Sequence, residues 1–289
     1  MTRPEARYIT VESGGFSIRT RYWHMGESGP VVLLIHGLGV YIENWETTIP
    51  ALAASYRVYA MDLVGFGLTD KPKNAPYTPP FMARFVLDFM TALGLDRAHV
   101  VGHSMGGGLA LQFITDYPEK VEKLVLVNSA GLSDDIGLPF RILSIPVVGS
   151  LLSRPSRKGS AQAMKMLVYD HSIVTDSVID WDYEMSRGPG AHRAAMKVIR
   201  AAVTPFGVRS SVFEPVAARL CEITAPTLVI WGEKDRVLPV TDAEIARQKI
   251  PNCRVEIFPD CGHVPQWEHP DQFNHLLMEF LQSSEGQLA

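Results

Sequence analysis

The sequence predicts an α/β fold, a mostly parallel central sheet flanked by helices and interrupted by one helical insertion, on three observations. Six short runs are apolar and β-branched and stop at Gly, Asn or Asp. Helical patterns alternate with them. A stretch of about ninety residues near the middle carries helical patches and no such run. Fully apolar strands need cover on both faces, and that is the habit of parallel sheets. A chain of 289 residues suits one large α/β domain, or one domain with an insertion.

FSIRTRYW (16–23) alternates in polarity and reads as an antiparallel edge strand. VVLLIHG (31–37) is the first core strand, followed by a helical pattern in ENWETTIPALAAS (43–55). RVYAMD (57–62) precedes the helix of FMARFVLDFMTALGL (81–95). HVVGH (99–103) precedes that of MGGGLALQFITDY (105–117), which Pro118 stops. KLVLVNS (123–129) follows, and then the alternation lapses. Helical patches recur at 160–170, 178–185 and 192–202 before the pattern resumes in TLVIWG (227–232), DAEIARQKI (242–250), RVEIFP (254–259) and DQFNHLLMEFL (271–281). Strands joined through helices imply right-handed crossovers. The expected organisation is a core of residues 1–130 and 221–289, with residues 131–220 as a helical cap inserted after the sixth strand.

Composition narrows the function. Hydrophobic residues make up 46% and charged residues 20%, which favours a packed core over disorder. A formal net charge of −4 offers no basic face for nucleic acid. Three cysteines, at 221, 253 and 261, form no disulfide framework and read as reduced thiols, so a cytoplasmic protein is expected. MTRPEARYIT has no apolar signal core. LPFRILSIPVVGSLL (138–152) falls short of the roughly 20 residues that span a bilayer and contains Arg141 and Pro146. It reads as a cap element in preference to an interfacial patch, and no stable membrane insertion is expected. No HExxH or Cys-rich spacing, GxxxxGK[ST] loop or GxGxxG after a first strand occurs, so neither a metal nor another cofactor is expected.

The chemistry gathers around Ser104. It lies between a core strand and a helix in GHSMGG, with Gly102 and Gly106 at −2 and +2. A serine there sits on a turn so tight that side chains at those two positions would collide. The turn lifts its hydroxyl above the carboxyl edge of the sheet, where open α/β folds bind ligands. A serine nucleophile needs a base, and the base needs an orienting acid. His263, in PDCGHVPQWEHP, and Asp235, in VIWGEKDRVLP, both follow strands on that same edge.

HGLG (36–39), DLVGFGLTD (62–70), GHSMGG (102–107), GEKDRVLP (232–239) and GHVPQWEHP (262–270) together resemble the serine-type α/β-hydrolase family. They occur in the family's order, across nearly the whole chain outside the cap. The resemblance implies Ser104 as nucleophile, His263 as base and Asp235 as the acid that holds its tautomer. The developing oxyanion needs two backbone N–H donors. Met105, after the nucleophile and at a helix N-terminus, is one, and the resemblance points to Leu38 as the other. Gly37, His103 and Val264, each next to one of these groups, are candidate substrate contacts, although His103 is read first as a packing or loop-bonding residue. His36 reads as a structural hydrogen-bonder. Glu268 and His269 read as a helix's N-terminal turn, and Asp62 and Asp260 as weaker candidates for the acid. Asn128-Ser129 offers no carboxylate at the other usual place for it.

A serine nucleophile implies acyl transfer, and the fold does not choose the substrate. The leading reading is a carboxylesterase for small to medium acyl or aryl esters, because the cap is rich in Met, Leu, Ile and Val with Phe140, Phe206 and Phe213. The alternative is a meta-cleavage-product hydrolase, which splits a 2-hydroxy-6-oxo-dienoate at a C–C bond; CGHVPQWEHPDQF and SMGG resemble that group. This chain departs from it in carrying His103 where Asn is usual and HGLGVY where HGxGPG is usual. A dienoate's carboxylate also calls for an Arg in the cap, with Arg141, Arg187, Arg193 and Arg209 as candidates. A non-catalytic ligand-binding protein of this fold is the third reading. The expected partner is a small ester, and the expected state a monomer or homodimer.

Overall fold

A computed structural model describes residues 3–283. Residues 1–2 and 284–289, the outer ends of the expected core segments and of MTRPEARYIT, lie outside the described residues. The strands are β1 (Arg7–Ser13), β2 (Phe16–Met25), β3 (Val31–Ile35), β4 (Arg57–Met61), β5 (Ala98–His103), β6 (Val121–Val127), β7 (Val203–Thr204), β8 (Gly207–Val208), β9 (Thr227–Gly232) and β10 (Cys253–Phe258). Eight of them form one sheet in the order β1-β2-β4-β3-β5-β6-β9-β10. β2 pairs antiparallel with both β1 and β4, and the remaining pairs are parallel.

Alternation along β3 shows why its sequence is uniformly apolar. Leu33 and Ile35 face one side of the sheet and Val32 and Leu34 the other, and all four are fully buried. On the first side lie α2 (Pro79–Ala92) and α3 (Met105–Asp116), which bury Phe85, Phe89 and Phe113. On the second lie α1 (Thr48–Leu52) and the C-terminal helix α12 (Pro270–Gln282), where Phe273 packs with Trp45. β2 was expected at the edge, but β1 holds that place. β1 escaped the sequence reading because only Val11 and Ser13 of its seven residues are buried, so it has no apolar run.

The chain passes from β3 to β4 on one side and returns to β5 on the other. The strand order therefore reverses between β3 and β5, and a crevice opens at their carboxyl ends. Between β6 and β9 the chain leaves the sheet and builds α4 (Leu138–Ser144), α5 (Val148–Leu152), α6 (Arg157–Leu167), α7 (Asp176–Ser186), α8 (Ala191–Ala202) and α9 (Ser210–Ala217). β7 and β8 form a small hairpin in this insertion, too short to register as an apolar run. Hydrogen bonds tie the insertion to the crevice and its rim, among them His263 N–H to the Leu167 carbonyl (2.6 Å), Tyr169 N–H to Glu268 (2.5 Å), Arg193 to the Lys71 carbonyl (3.1 Å) and Lys197 to the Lys73 carbonyl (2.8 Å). After β9 come α10 (Thr241–Lys249) and, beyond β10, the short α11 (Pro265–Glu268).

Helix α3 presses so closely on β3 that a Cβ on Gly106 would strike the carbonyl oxygens of Ile35 and His36. One on Gly102 would strike the carbonyl of Gly106. Backbone cannot yield as a flexible side chain does. Gly106→Ala is therefore expected to cost about 1–3 kcal/mol, read as a lower midpoint in urea unfolding. An unchanged midpoint would contradict this packing.

Candidate active site

Ser104 sits between β5 and α3 with φ 55° and ψ −119°, a conformation that residues with a Cβ rarely adopt. The turn is held on all sides. Its N–H donates to the Val127 carbonyl at 2.9 Å, and its own carbonyl accepts from Gly107 (2.9 Å) and Ala130 (3.1 Å). The hydroxyl is thereby raised above the carboxyl end of β5, into the crevice.

Two loops bring partners to it. The loop after β10 carries His263, whose Nε2 lies 2.8 Å from Ser104 Oγ. The loop after β9 carries Asp235, whose Oδ2 lies 2.8 Å from His263 Nδ1. A carboxylate only accepts, so the ring proton sits on Nδ1, and Nε2 is left to accept from the serine hydroxyl. The side chains of His263 and Asp235 are almost wholly buried. Burial by itself pushes the Asp235 carboxyl up. His263, the amide of Asn128 (2.7 Å) and the Val237 N–H (2.7 Å) outweigh it, and the carboxyl lies below its ordinary value. The structure thus brings Ser104, His263 and Asp235 into one chain of hydrogen bonds from three separate loops.

Asn128, a positioning group that the sequence reading passed over as a missing carboxylate, ends β6 at φ 42°. Its amide donates to Asp235, and its oxygen accepts from Gly232 N–H at 3.4 Å. Glu268 also does more than open a helix. Its carboxylate accepts from Gly262 N–H (2.7 Å) and from Tyr169 N–H, and so pins the His263 loop to the insertion. Neither role has a local signature, because Asp235 lies 107 residues from Asn128 and Tyr169 lies 99 from Glu268.

The other candidates are structural. His36 Nδ1 donates to the Gly37 carbonyl (2.7 Å) while Nε2 accepts from Leu63 N–H (3.0 Å), which bridges the loops after β3 and β4. Asp62 is buried against Arg21 (2.6 Å) and accepts from Ile42 and Leu68 N–H. Asp260 is exposed, at φ 49°, and His263 is paired with Asp235 instead.

His103 lies behind the His263 ring. Its Nε2 is 2.8 Å from the His263 carbonyl, which only accepts, so Nε2 carries the proton. Nδ1 then faces the Asn44 amide at 3.3 Å, and Gln266 donates to Asn44 Oδ1 at 3.1 Å. Burial pushes His103 down to about 3, with the nearby His263 adding to the shift, so this ring stays neutral.

A cavity of about 150 Å³ opens onto Ser104 and His263. Leu38 and Met105, the two expected oxyanion donors, both line it. Met105 is the first residue of α3, where N–H groups have no acceptor within the helix. The rest of the wall is apolar, chiefly Leu109, Phe140, Leu167, Val198, Ile199 and Phe213, with Gln112 as a polar exception. The three expected substrate contacts are not part of this wall. Gly37 is buried beneath the serine, where a Cβ would lie 3.0 Å from Ser104 Cβ. His103 faces the back of the His263 loop, and Val264 is fully buried ahead of α11. The cap arginines also lie elsewhere. Arg141 pairs with Asp135, Arg187 with Glu184, Arg193 bonds the Lys71 carbonyl, and Arg209 the Arg200 carbonyl. Among the described residues the cavity wall carries no Lys or Arg.

The family model of the alpha/beta hydrolase fold matches residues 30–145 and 151–270, and the chain belongs to that family; it is a hydrolase of this fold. Its relatives narrow the comparison. The chain is 32% identical over 281 residues to a 2-hydroxy-6-oxo-6-phenylhexa-2,4-dienoate hydrolase of Burkholderia cepacia, with 96% of each chain covered. It is 31% identical to a 2-hydroxy-6-oxononadienedioate/2-hydroxy-6-oxononatrienedioate hydrolase of Cupriavidus pinatubonensis, covering 96% of this chain and 95% of the other. The solved meta-cleavage product hydrolase of Pseudomonas fluorescens IP01 superposes with a TM-score of 0.78 at 30% identity, over 94% of this chain and 97% of that one.

These relatives overturn the expectation of a carboxylesterase. The error has a chemical cause. Ester and C–C hydrolysis share a nucleophile, a base and an oxyanion, and those are what the motifs encode. The bond that breaks is chosen by the rest of the substrate, and an apolar cap is compatible with either.

The buried neutral His103 has a consequence for stability. Its folded pKa is far below the unfolded value of about 6.5, so the unfolded chain takes up the proton first and stability is lost as pH falls below that value. His103→Asn removes this loss. The difference in unfolding free energy between the native chain and the variant should shrink from pH 7.5 to pH 5. Comparing the two cancels Asp182 and Asp242, which burial pushes up to about 6 and which respond in the opposite sense. A pH-independent difference would mean that His103 takes up its proton equally well folded and unfolded, and that burial does not hold it neutral.

Proposed function

We propose that this hydrolase cleaves the C–C bond beside the ketone of a 2-hydroxy-6-oxo-dienoate whose ketone carries an apolar aryl or alkyl group. The observation that carries the reading is a Ser104–His263–Asp235 chain at the floor of an apolar cavity, in a chain that aligns end to end with dienoate hydrolases. We also propose that residues 131–220 act as the cap, since Phe140, Leu167, Val198, Ile199 and Phe213 roof that cavity.

The chemistry follows from the geometry. Ser104 Oγ attacks the C6 ketone as His263 Nε2 takes its proton. The oxyanion is met by the Met105 and Leu38 N–H groups. Collapse of the adduct breaks C5–C6 and leaves the electron pair on C5, delocalised through the conjugated chain onto the 2-oxo group of the keto form. The His263 imidazolium then protonates C5. Water, activated by His263, hydrolyses the acyl-enzyme and releases the acid of the apolar group. Asp235 stabilises the imidazolium in both halves.

Lack of a cation in the wall bears on how the substrate lies. A carboxylate buried without a partner is heavily penalised. The ketone's apolar substituent therefore fills the cavity, and the acid end stays in water at the mouth.

The test is loss of the dienoate chromophore with a 6-aryl and a 6-alkyl substrate, set against a p-nitrophenyl ester with the same acyl group. The dienoate should be turned over with at least about tenfold higher kcat/KM. Ser104→Ala should lose about four orders of magnitude or more. A preference for the ester would refute the C–C reading. Unchanged turnover in Ser104→Ala would refute the nucleophile.

A further inference from the structure

The outer side of the insertion is unusual for a surface. Leu138 on α4, Val147 just before α5, Leu151 and Leu152 on α5, and Phe206 at the turn between β7 and β8 are all exposed, Phe206 by 91% and Val147 and Leu152 by nearly 70%. The elements that carry them adjoin one another. α4 packs against α5, α8 and β7, and Arg200 of α8 donates to Ser150 on α5 at 2.6 Å. Scattered exposed hydrophobics need no explanation, but a cluster on neighbouring elements does. Val147 adds to the case, since a β-branched residue holds φ 68° while its side chain points into solvent.

Charge distinguishes the same region. Residues 136–169 hold Arg141, Arg154, Arg157, Lys158 and Lys165 and no Asp or Glu, in a chain whose formal net charge is −4; Asp134 and Asp135, just before them, are the nearby acids, and the Asp134 carbonyl accepts from Val208 on β8. Arg141 is paired with Asp135, and Arg157 with Asp176 and Asp180. Arg154, directly after α5, and Lys158 and Lys165 are exposed. No helix among the described residues is long and apolar enough to cross a membrane. Short apolar elements with basic neighbours suit a place in the interface of a bilayer.

We propose that the outer face of α4, α5 and the β7–β8 turn docks on an anionic lipid surface. The inner sides of α4 and of the β7–β8 hairpin wall the cavity at Ser104: Ile136 and Phe140 at α4, Val203 on β7 and Val208 on β8 all line it. One thin layer therefore separates the cavity from the docked lipid, and an apolar substrate dissolved in the bilayer has a short route to Ser104. The docking is independent of which bond is cleaved. A second copy of the chain suits this face less well, because a two-fold contact would set its cations against their own copies.

The full chain is centrifuged with vesicles of phosphatidylcholine alone and of phosphatidylcholine with phosphatidylglycerol. Partition should be about tenfold stronger onto the phosphatidylglycerol vesicles and should fall as salt is raised. Leu152→Glu with Phe206→Glu should lower that partition about tenfold or more while turnover of a water-soluble substrate in the absence of lipid stays within twofold, which also reports that the variant folds. The salt and lipid-charge dependence of the native chain tests the proposal without any variant. No binding to anionic vesicles, binding that ignores lipid charge, or binding unaffected by the double variant would overturn it. So would sedimentation showing a dimer that this variant dissociates.

Discussion

The turn between β5 and α3 is the constraint on which the rest of the site depends. Gly106 lies against the carbonyls of Ile35 and His36, so the helix carrying Met105 can start only where β3 ends. That contact sets Ser104 at φ 55°, aims its hydroxyl up and brings Leu38 and Met105 to the same cavity wall. A strained residue persists only if its surroundings over-determine it. Here a hydrogen bond to the Val127 carbonyl and others from the Gly107 and Ala130 N–H groups supply that hold.

Around this fixed point the polar groups form a supported network. Asp235 is oriented by Asn128, Val237 and Leu238, and the His263 loop is held from behind by His103 and from the insertion by Glu268 and Leu167. Asp235, His263 and His103 each find partners, which lowers the cost of keeping a carboxylate and two imidazoles out of water. His103 stays neutral for the same reason that it is useful: burial disfavours its charge, leaving one nitrogen to donate to His263 and the other to accept from Asn44.

The insertion supplies much of the cavity wall. Its inner side is apolar and, among the described residues, without a cation, and the proposed placement of the substrate rests on this. Its outer side carries exposed apolar residues beside basic ones. α4 serves both sides, so it satisfies neither the pattern of a buried helix nor that of an ordinary surface helix. This accounts for the ambiguity of residues 138–152 when read from sequence.

Local rules made much of this protein legible in advance. Strands covered on both faces read as apolar runs, and glycines two residues either side of Ser104 marked the tight turn. The motifs and their order single out Ser104, Asp235 and His263 from the sequence. β1 stayed hidden because an exposed edge strand needs no apolar run. Asn128, Asn44 and Glu268 stayed hidden because His103 lies 59 residues from Asn44, Tyr169 lies 99 from Glu268 and Asp235 lies 107 from Asn128. The tertiary structure alone decided that His103 faces the back of the His263 loop and that the cap arginines point away from the cavity. Orientation of a side chain depends on what packs around it, and no spacing along one segment carries that information. Residue type and order marked Ser104, His263 and Asp235; three-dimensional packing decided that they meet and that an apolar wall surrounds them.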